Sequence, residues 1–131
     1  MSSVTTYIMG DVRRRALRGR INAYIEGNLD DPDLDPRAVA AANNVSVREL
    51  HRLFEGGRTV SEMIKMLRLE RCRRDLLDPA LTGVPIYHIA RRHGILHNSY
   101  FSRVFKAAYG LTPRQLRRGG VAGFPSTTAL C

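Results

Sequence analysis

Two stretches of this sequence, about fifty residues apart, carry the same residue types in the same order. Val39-Ala40 matches Ile89-Ala90 and Asn44-Val45 matches Gly94-Ile95, both at an offset of fifty. One extra residue in the second stretch then lays Leu50 on Phe101, Arg52 on Arg103 and Phe54 on Phe105, and a little further on Gly57 and Thr59 fall on Gly110 and Thr112. Self-similarity at this period means one supersecondary unit used twice. Each matched position has a physical reason if that unit is two short helices crossing through a tight turn. Ala40 and Ala90 keep the crossing close, and Asn44 and Gly94 are residue types that tolerate a left-handed backbone at the turn. Val45 and Ile95 are expected to plug the core. Leu50, Phe54, Phe101 and Phe105 would anchor the second helix of each unit, leaving its other face and its first turn outward.

The rest of the chain is helical around these units. From Asp11 the spacing of Leu17, Ile21, Tyr24, Ile25 and Leu29 predicts an amphipathic helix with its arginines largely off the apolar face. Asp35-Pro36 reads as a capping residue followed by proline at the first helical position. Ser46 with Glu49, Thr59 with Glu62 and Thr112 with Gln115 each read as a reciprocal capping box. The middle one opens a long helix to about Leu77, with Met66, Leu69, Cys72 and Leu76 on one side. No convincing period-two strand occurs. The fold class is therefore all-α: about seven helices in two homeodomain-like helix-turn-helix subdomains, joined by a long linker helix. The expected divisions are 1–12, a flexible arm or the stub of a missing N-terminal domain; 13–58, the first subdomain; 59–78, the linker helix; 79–118, the second subdomain; and 119–131, a disordered tail. The apolar Val4, Tyr7, Ile8 and Met9 favour the stub.

Charge narrows the partner. There are 21 Lys and Arg against 12 Asp and Glu in 131 residues, a net +9 that favours an anionic partner. The excess is almost wholly arginine, whose planar fork suits phosphates and guanine edges. The faces that the repeat leaves outward carry Arg48, His51 and Arg52 in the first unit, and Asn98, Ser99, Ser102, Arg103 and Lys106 in the second. Arginine pairs with guanine O6 and N7, asparagine with adenine N6 and N7. The base-contacting candidates are accordingly Arg48, His51, Arg52, Asn98, Ser99, Ser102 and Arg103. Phosphate contact is assigned to Ser46, Arg58, Arg91, Arg92 and Lys106, together with capped helix amino termini.

Residues 89–117, IARRHGILHNSYFSRVFKAAYGLTPRQLR, resemble the carboxy-terminal signature of the AraC/XylS family of bacterial transcription regulators. Residues 15–118 as a whole are similar to that family's DNA-binding domain. The run Arg68-Leu69-Glu70-Arg71 resembles its linker helix, and Gly110-x-Thr112-Pro113 its closing motif. Ile95 stands where the family usually has Phe, Leu116 where it has an aromatic, and Pro85 and His97 occupy capping positions of the fifth and sixth helices. The resemblance implies sequence-specific binding of double-stranded DNA by two recognition helices in adjacent major-groove segments. Successive segments on one face of the duplex are about 34 Å apart, so the linker would set that spacing. Because the units differ, the site would be asymmetric. The resemblance further implies a transcription regulator, activating through RNA polymerase, in the cytoplasm at the bacterial nucleoid. The effector-binding and dimerising domain usual in the family is expected to be absent from this chain.

Blander and competing readings stand beside these. His93 and His97 are four apart with His88 nearby, but a turn separates them, so groove-facing or helix-end roles are expected and no metal. No cofactor is expected. Cys72 falls inside a helical pattern and reads as a small buried hydrophobe, with no disulfide framework or zinc site in view. The run Arg13-Arg14-Arg15 reads as a solvated face with phosphate contact as the alternative. The linker-helix arginines are expected to pair with Glu70, Asp75 or Asp78. No paired carboxylates, no nucleophile with a base partner and no phosphate-cradling glycine loop appear, so the chain is not read as an enzyme. No segment is apolar enough to span a membrane or serve as a signal peptide. The alternative function is a non-specific architectural DNA-binding protein, which would need apolar wedges in place of hydrogen-bonding groove residues.

Overall fold

A computed structural model of the chain describes residues 2–119, with side chains from residue 9 onward. The tail beyond Gly119 and the side chains of Val4, Tyr7 and Ile8 lie outside the described residues. The described chain is helical throughout, without a strand: α1 (Ser2–Gly27), α2 (Pro36–Ala42), α3 (Val47–Leu53), α4 (Val60–Leu77), a 3-10 turn (Pro79–Leu81), α5 (Ile86–Arg92), α6 (Asn98–Tyr109) and α7 (Pro113–Gly119). They form two compact units. The first takes the chain up to Leu29 together with Asp33–Lys65; the second takes Asp30–Pro32 and the chain from Met66.

In the first unit the apolar stripe of α1 is buried as its spacing requires, with Ile21, Ile25 and Leu29 wholly inaccessible to solvent beside Val39, Ala40 and Leu50. α1 itself begins at Ser2, nine residues before the apolar pattern starts at Asp11. Apolar periodicity reports only the part of a helix that is packed; from Met9 to Ala16 every residue is exposed, so nothing in the pattern could mark that stretch. Asp35 caps α2 by accepting from the Ala38 N–H at 2.9 Å, with Pro36 at the first helical position. Val45 and Phe54 are only half-buried, so the first unit's turn residue leans on the core without plugging it as expected.

The second unit closes over Leu69, Cys72, Leu76, Ile89, Ala90, Ile95, Phe101, Phe105 and Leu116. Phe101 and Phe105 meet edge-on with centroids 5.5 Å apart, and Phe105 continues onto Tyr109 at 4.8 Å. Burial pushes the Cys72 thiol up to about 12, which makes it the neutral hydrophobe expected from its place in the pattern. Polar struts tie the surrounding helices to α4. Arg73 donates twice to Glu70, at 2.8 and 3.1 Å, and the Tyr109 hydroxyl donates to the same carboxylate at 3.2 Å. Asp75 holds the His93 ring at 2.7 Å. Of the linker arginines, Arg74 approaches Glu70 at 3.9 Å, whereas Arg68 donates to the Asp31 carbonyl.

The turns show how literally the repeat is used. In the first unit Val45 N–H donates to Ala40 O at 3.0 Å and Asn44 N–H to Ala41 O at 3.3 Å. In the second, Ile95 N–H donates to Ala90 O at 3.0 Å and Gly94 N–H to Arg91 O at 3.1 Å. Both are the 6→1 and 5→2 bonds of a Schellman ending, which needs a left-handed residue at its corner. Asn44 at φ 57° and Gly94 at φ 87° supply it.

Candidate nucleic-acid interface

α3 and α6 follow these two turns, and burial divides each of them into an anchoring and a free face. On α3, Leu50 is wholly buried and Arg48, His51 and Arg52 stand exposed. On α6, Phe101 and Phe105 are wholly buried, Asn98, Ser99, Arg103 and Lys106 are exposed, and Ser102 is half-buried on the flank. Arg58, Arg91 and Arg92 are exposed as well. Every residue expected from the sequence to touch bases or phosphates thus lies on the surface of its own unit, with Ser102 the least accessible.

The cations among them are uncommitted. Among the described residues the side chains of Arg48, Arg52, Arg58, Arg91, Arg92, Arg103 and Lys106 make no hydrogen bond or ion pair, although the Arg52 charge is felt by Glu49 and the Arg103 guanidinium lies over the Tyr100 ring. This contrasts with Arg15, which pairs with Asp11, and with Arg73, which pairs with Glu70. A surface of unpaired guanidinium groups attracts phosphate and base-edge acceptors without first breaking an internal bond.

The two helices begin differently. Ser46 and Glu49 form a complete capping box at the start of α3, the Ser46 N–H donating to Glu49 at 2.8 Å and the Glu49 N–H to the Ser46 hydroxyl at 3.0 Å. The Ser46 backbone N–H, and after it the hydroxyl, hold the Glu49 carboxyl below its ordinary range. Ser46 therefore already uses its side chain within the fold, and a phosphate contact from it would fall to free backbone groups of the first turn. At the start of α6, His97 makes no side-chain cap, nor does Pro85 at the start of α5.

Two further residues stand near this surface, Arg14 from the arginine run of α1 and Tyr100, which the sequence reading did not single out. Arg14 and Leu17 of α1 line one cleft with Val45, Glu49, Arg52 and Leu53, which brings an α1 arginine beside Arg52 on the exposed side of α3. Tyr100, on the first turn of α6, carries the Arg103 guanidinium over its ring at 5.7 Å. His93 belongs to the Asp75 strut, and no group of three potential metal ligands occurs among the described residues. No described helix is long and apolar enough to cross a membrane.

Comparison with known proteins agrees with this geometry. A family profile described as a helix-turn-helix domain matches residues 39–119. The transcriptional activator NphR of a Rhodococcus species is 33% identical over 109 residues, covering 82% of this chain and 32% of that protein. The XylDLEGF operon transcriptional activator of Pseudomonas putida is 32% identical over 101 residues, covering 76% of this chain and 31% of that protein. The chain thus spans about a third of the length of these curated relatives. Among solved structures, the C-terminal domain of AraT, a response regulator from Geobacillus stearothermophilus, superposes with a TM-score of 0.71 at 35% identity, over 78% of this chain and 84% of that one. The C-terminal domain of the response regulator yesN from Fusobacterium nucleatum shares the fold, with a TM-score of 0.70 at 24% identity, over 76% of this chain and 96% of that one.

Proposed function

Since the chain belongs to the AraC/XylS family of helix-turn-helix transcription regulators, we propose that it reads double-stranded DNA with α3 and α6, each in its own major-groove segment. Proteins of this family are DNA-binding regulators and not enzymes. The observation that carries the reading is the matched pair of Schellman turns, each delivering a helix whose outer face bears unpaired arginine. In the first unit Arg48 and Arg52 contact base edges, with His51 beside them. In the second, Asn98, Ser99 and Arg103 do so, with Ser102 at the margin. Arg58, Arg91, Arg92, Lys106 and the first turn after Ser46 hold phosphates and fix register. The two reading faces differ in composition, so the preferred site is asymmetric.

The regulatory output we assign is activation through contact with RNA polymerase at the nucleoid, in keeping with relatives described as transcriptional activators. Effector recognition and dimerisation we assign to sequence outside residues 13–118. The test is selection of bound duplexes from a random pool by the purified chain at near-physiological salt. Two short, dissimilar enriched boxes about one helical turn apart support the proposal. No enrichment, with binding that fades steeply as salt rises, replaces it with non-specific architectural binding.

A further inference from the structure

At an offset of 51, the capping pair Ser46 and Glu49 of α3 corresponds to His97 and Tyr100 of α6. In α3 both residues are spent on the cap; in α6 the N-cap residue His97 makes no side-chain cap bond, and Tyr100 has no carboxylate with which to return one. Tyr100 is nevertheless not folded away. It is 40% exposed, and Leu96, just before the helix, is 45% exposed. Large exposed apolar residues are few among the described residues, namely Met9, Val12, Tyr87, Leu96 and Tyr100, and two of them lie four residues apart at the entry of α6. Leu96 and Tyr100 thus offer apolar surface beside the exposed polar residues of α6.

The ring of Tyr100 also has an intramolecular role. The Arg103 guanidinium, one turn on, lies over it at 5.7 Å from the centroid. That is within the range where the ring quadrupole attracts a cation, and it restrains a long side chain that would otherwise sample many rotamers. The major groove offers one apolar feature, the thymine 5-methyl group, and apolar side chains are its natural contact. We infer that Tyr100 is a specificity-determining residue of the second unit: it holds Arg103 toward a guanine and, together with Leu96, covers the methyl group of a thymine close to that guanine. The inference rests on the proposed sequence-specific reading by α6 and adds what that helix selects.

The experiment replaces each thymine of the enriched duplex, one at a time, by deoxyuridine, which differs only in lacking the methyl group, and measures the dissociation constant for the whole chain. One position in the box read by the second unit should weaken binding about fourfold, the partitioning of one buried methyl group. Tyr100→Ala should bind both duplexes equally and lower the preference for guanine at the neighbouring position. Tyr100→Phe should keep the methyl sensitivity, because the ring and not the hydroxyl carries the contact. Tyr100 is exposed, so neither variant disturbs the core, and circular dichroism at the binding temperature checks this. A second box without thymine, or with thymines that deoxyuridine replaces at no cost, overturns the inference and leaves sequence-specific binding standing. Methyl sensitivity that survives in Tyr100→Ala also overturns it. Failure of the random pool to yield any box overturns both readings together.

Discussion

Arg117 lies half-buried with its guanidinium spread over two backbone carbonyls, Val84 at 2.6 Å and Leu81 at 3.1 Å, while Arg103 extends from α6 with only the face of Tyr100 beside it. The same residue type thus fastens a loop in one place and is presented outward in another. Arg117→Ala leaves the Val84 carbonyl without this donor and the Leu81 carbonyl with only the Val84 N–H, and we expect a loss of about 1–3 kcal/mol, read as a fall of several degrees in the thermal midpoint. Arg103→Ala should leave that midpoint within about 0.5 kcal/mol of the parent and lower DNA affinity instead. Nothing near Arg117 in the sequence marked this role, because its partners lie 33 and 36 residues away. The outward cations were legible for the opposite reason: their status follows from helical spacing alone. Residue chemistry also sets a pH limit. Burial lifts the Cys72 thiol from an ordinary value of 9 to about 12, and burial followed by the Glu70 charge lifts the Tyr109 phenol from 10 to about 12. Both groups hold their protons more tightly in the folded state, so their contribution is complete below pH 9. It is lost as pH climbs toward 12, where the unfolded chain ionises first. Urea midpoints at pH 8, 9.5 and 10.5 should fall in that order, and less steeply in Cys72→Ala, with a constant midpoint contradicting the assignment.

At the level of elements, the turns and caps carry the fold. All three capping boxes read from the sequence are formed, Ser46 with Glu49, Thr59 with Glu62 and Thr112 with Gln115. They were legible because a cap is local, its two partners three residues apart. The left-handed corners at Asn44 and Gly94 were legible through residue type for the same reason. What local pattern could not give was the extent of α1 ahead of Asp11, since the exposed residues 9–16 carry no buried stripe, or the incomplete burial of Val45, which depends on how closely neighbouring helices approach. The corner in the second unit yields a direct test. Gly94 sits at φ 87°, where a Cβ is disfavoured, so Gly94→Ala should cost about 1–2 kcal/mol in chemical denaturation. Asn44→Gly, at φ 57°, should cost little or nothing. Equal losses at both sites would mean that the two turns do not share the geometry described.

For the whole chain, the proposed reading has one polypeptide present two recognition helices, as a dimer of single helix-turn-helix subunits would. Each unit has its own core, its own Schellman turn and its own outward helix, so each can be altered without dismantling the other. The second unit is sealed by two phenylalanines on α6, where the first has the buried Leu50 on the shorter α3 and the half-buried Phe54 just past its end. The fold class and the two outward faces could be inferred from sequence because duplication prints each structural requirement twice. The struts from α4, Glu70 with Tyr109 and Asp75 with His93, could not, since they join residues 39 and 18 positions apart. The central claim is that the two units read different bases independently. Its most direct test is to profile base preference at every position of the enriched duplex for the parent chain, Arg52→Ala and Arg103→Ala in parallel. Each variant should relax preference at about one or two positions, by roughly 1–3 kcal/mol, confined to a different box. Relaxation spread over both boxes by either variant, or no change in preference with only a shallower salt dependence, would contradict it.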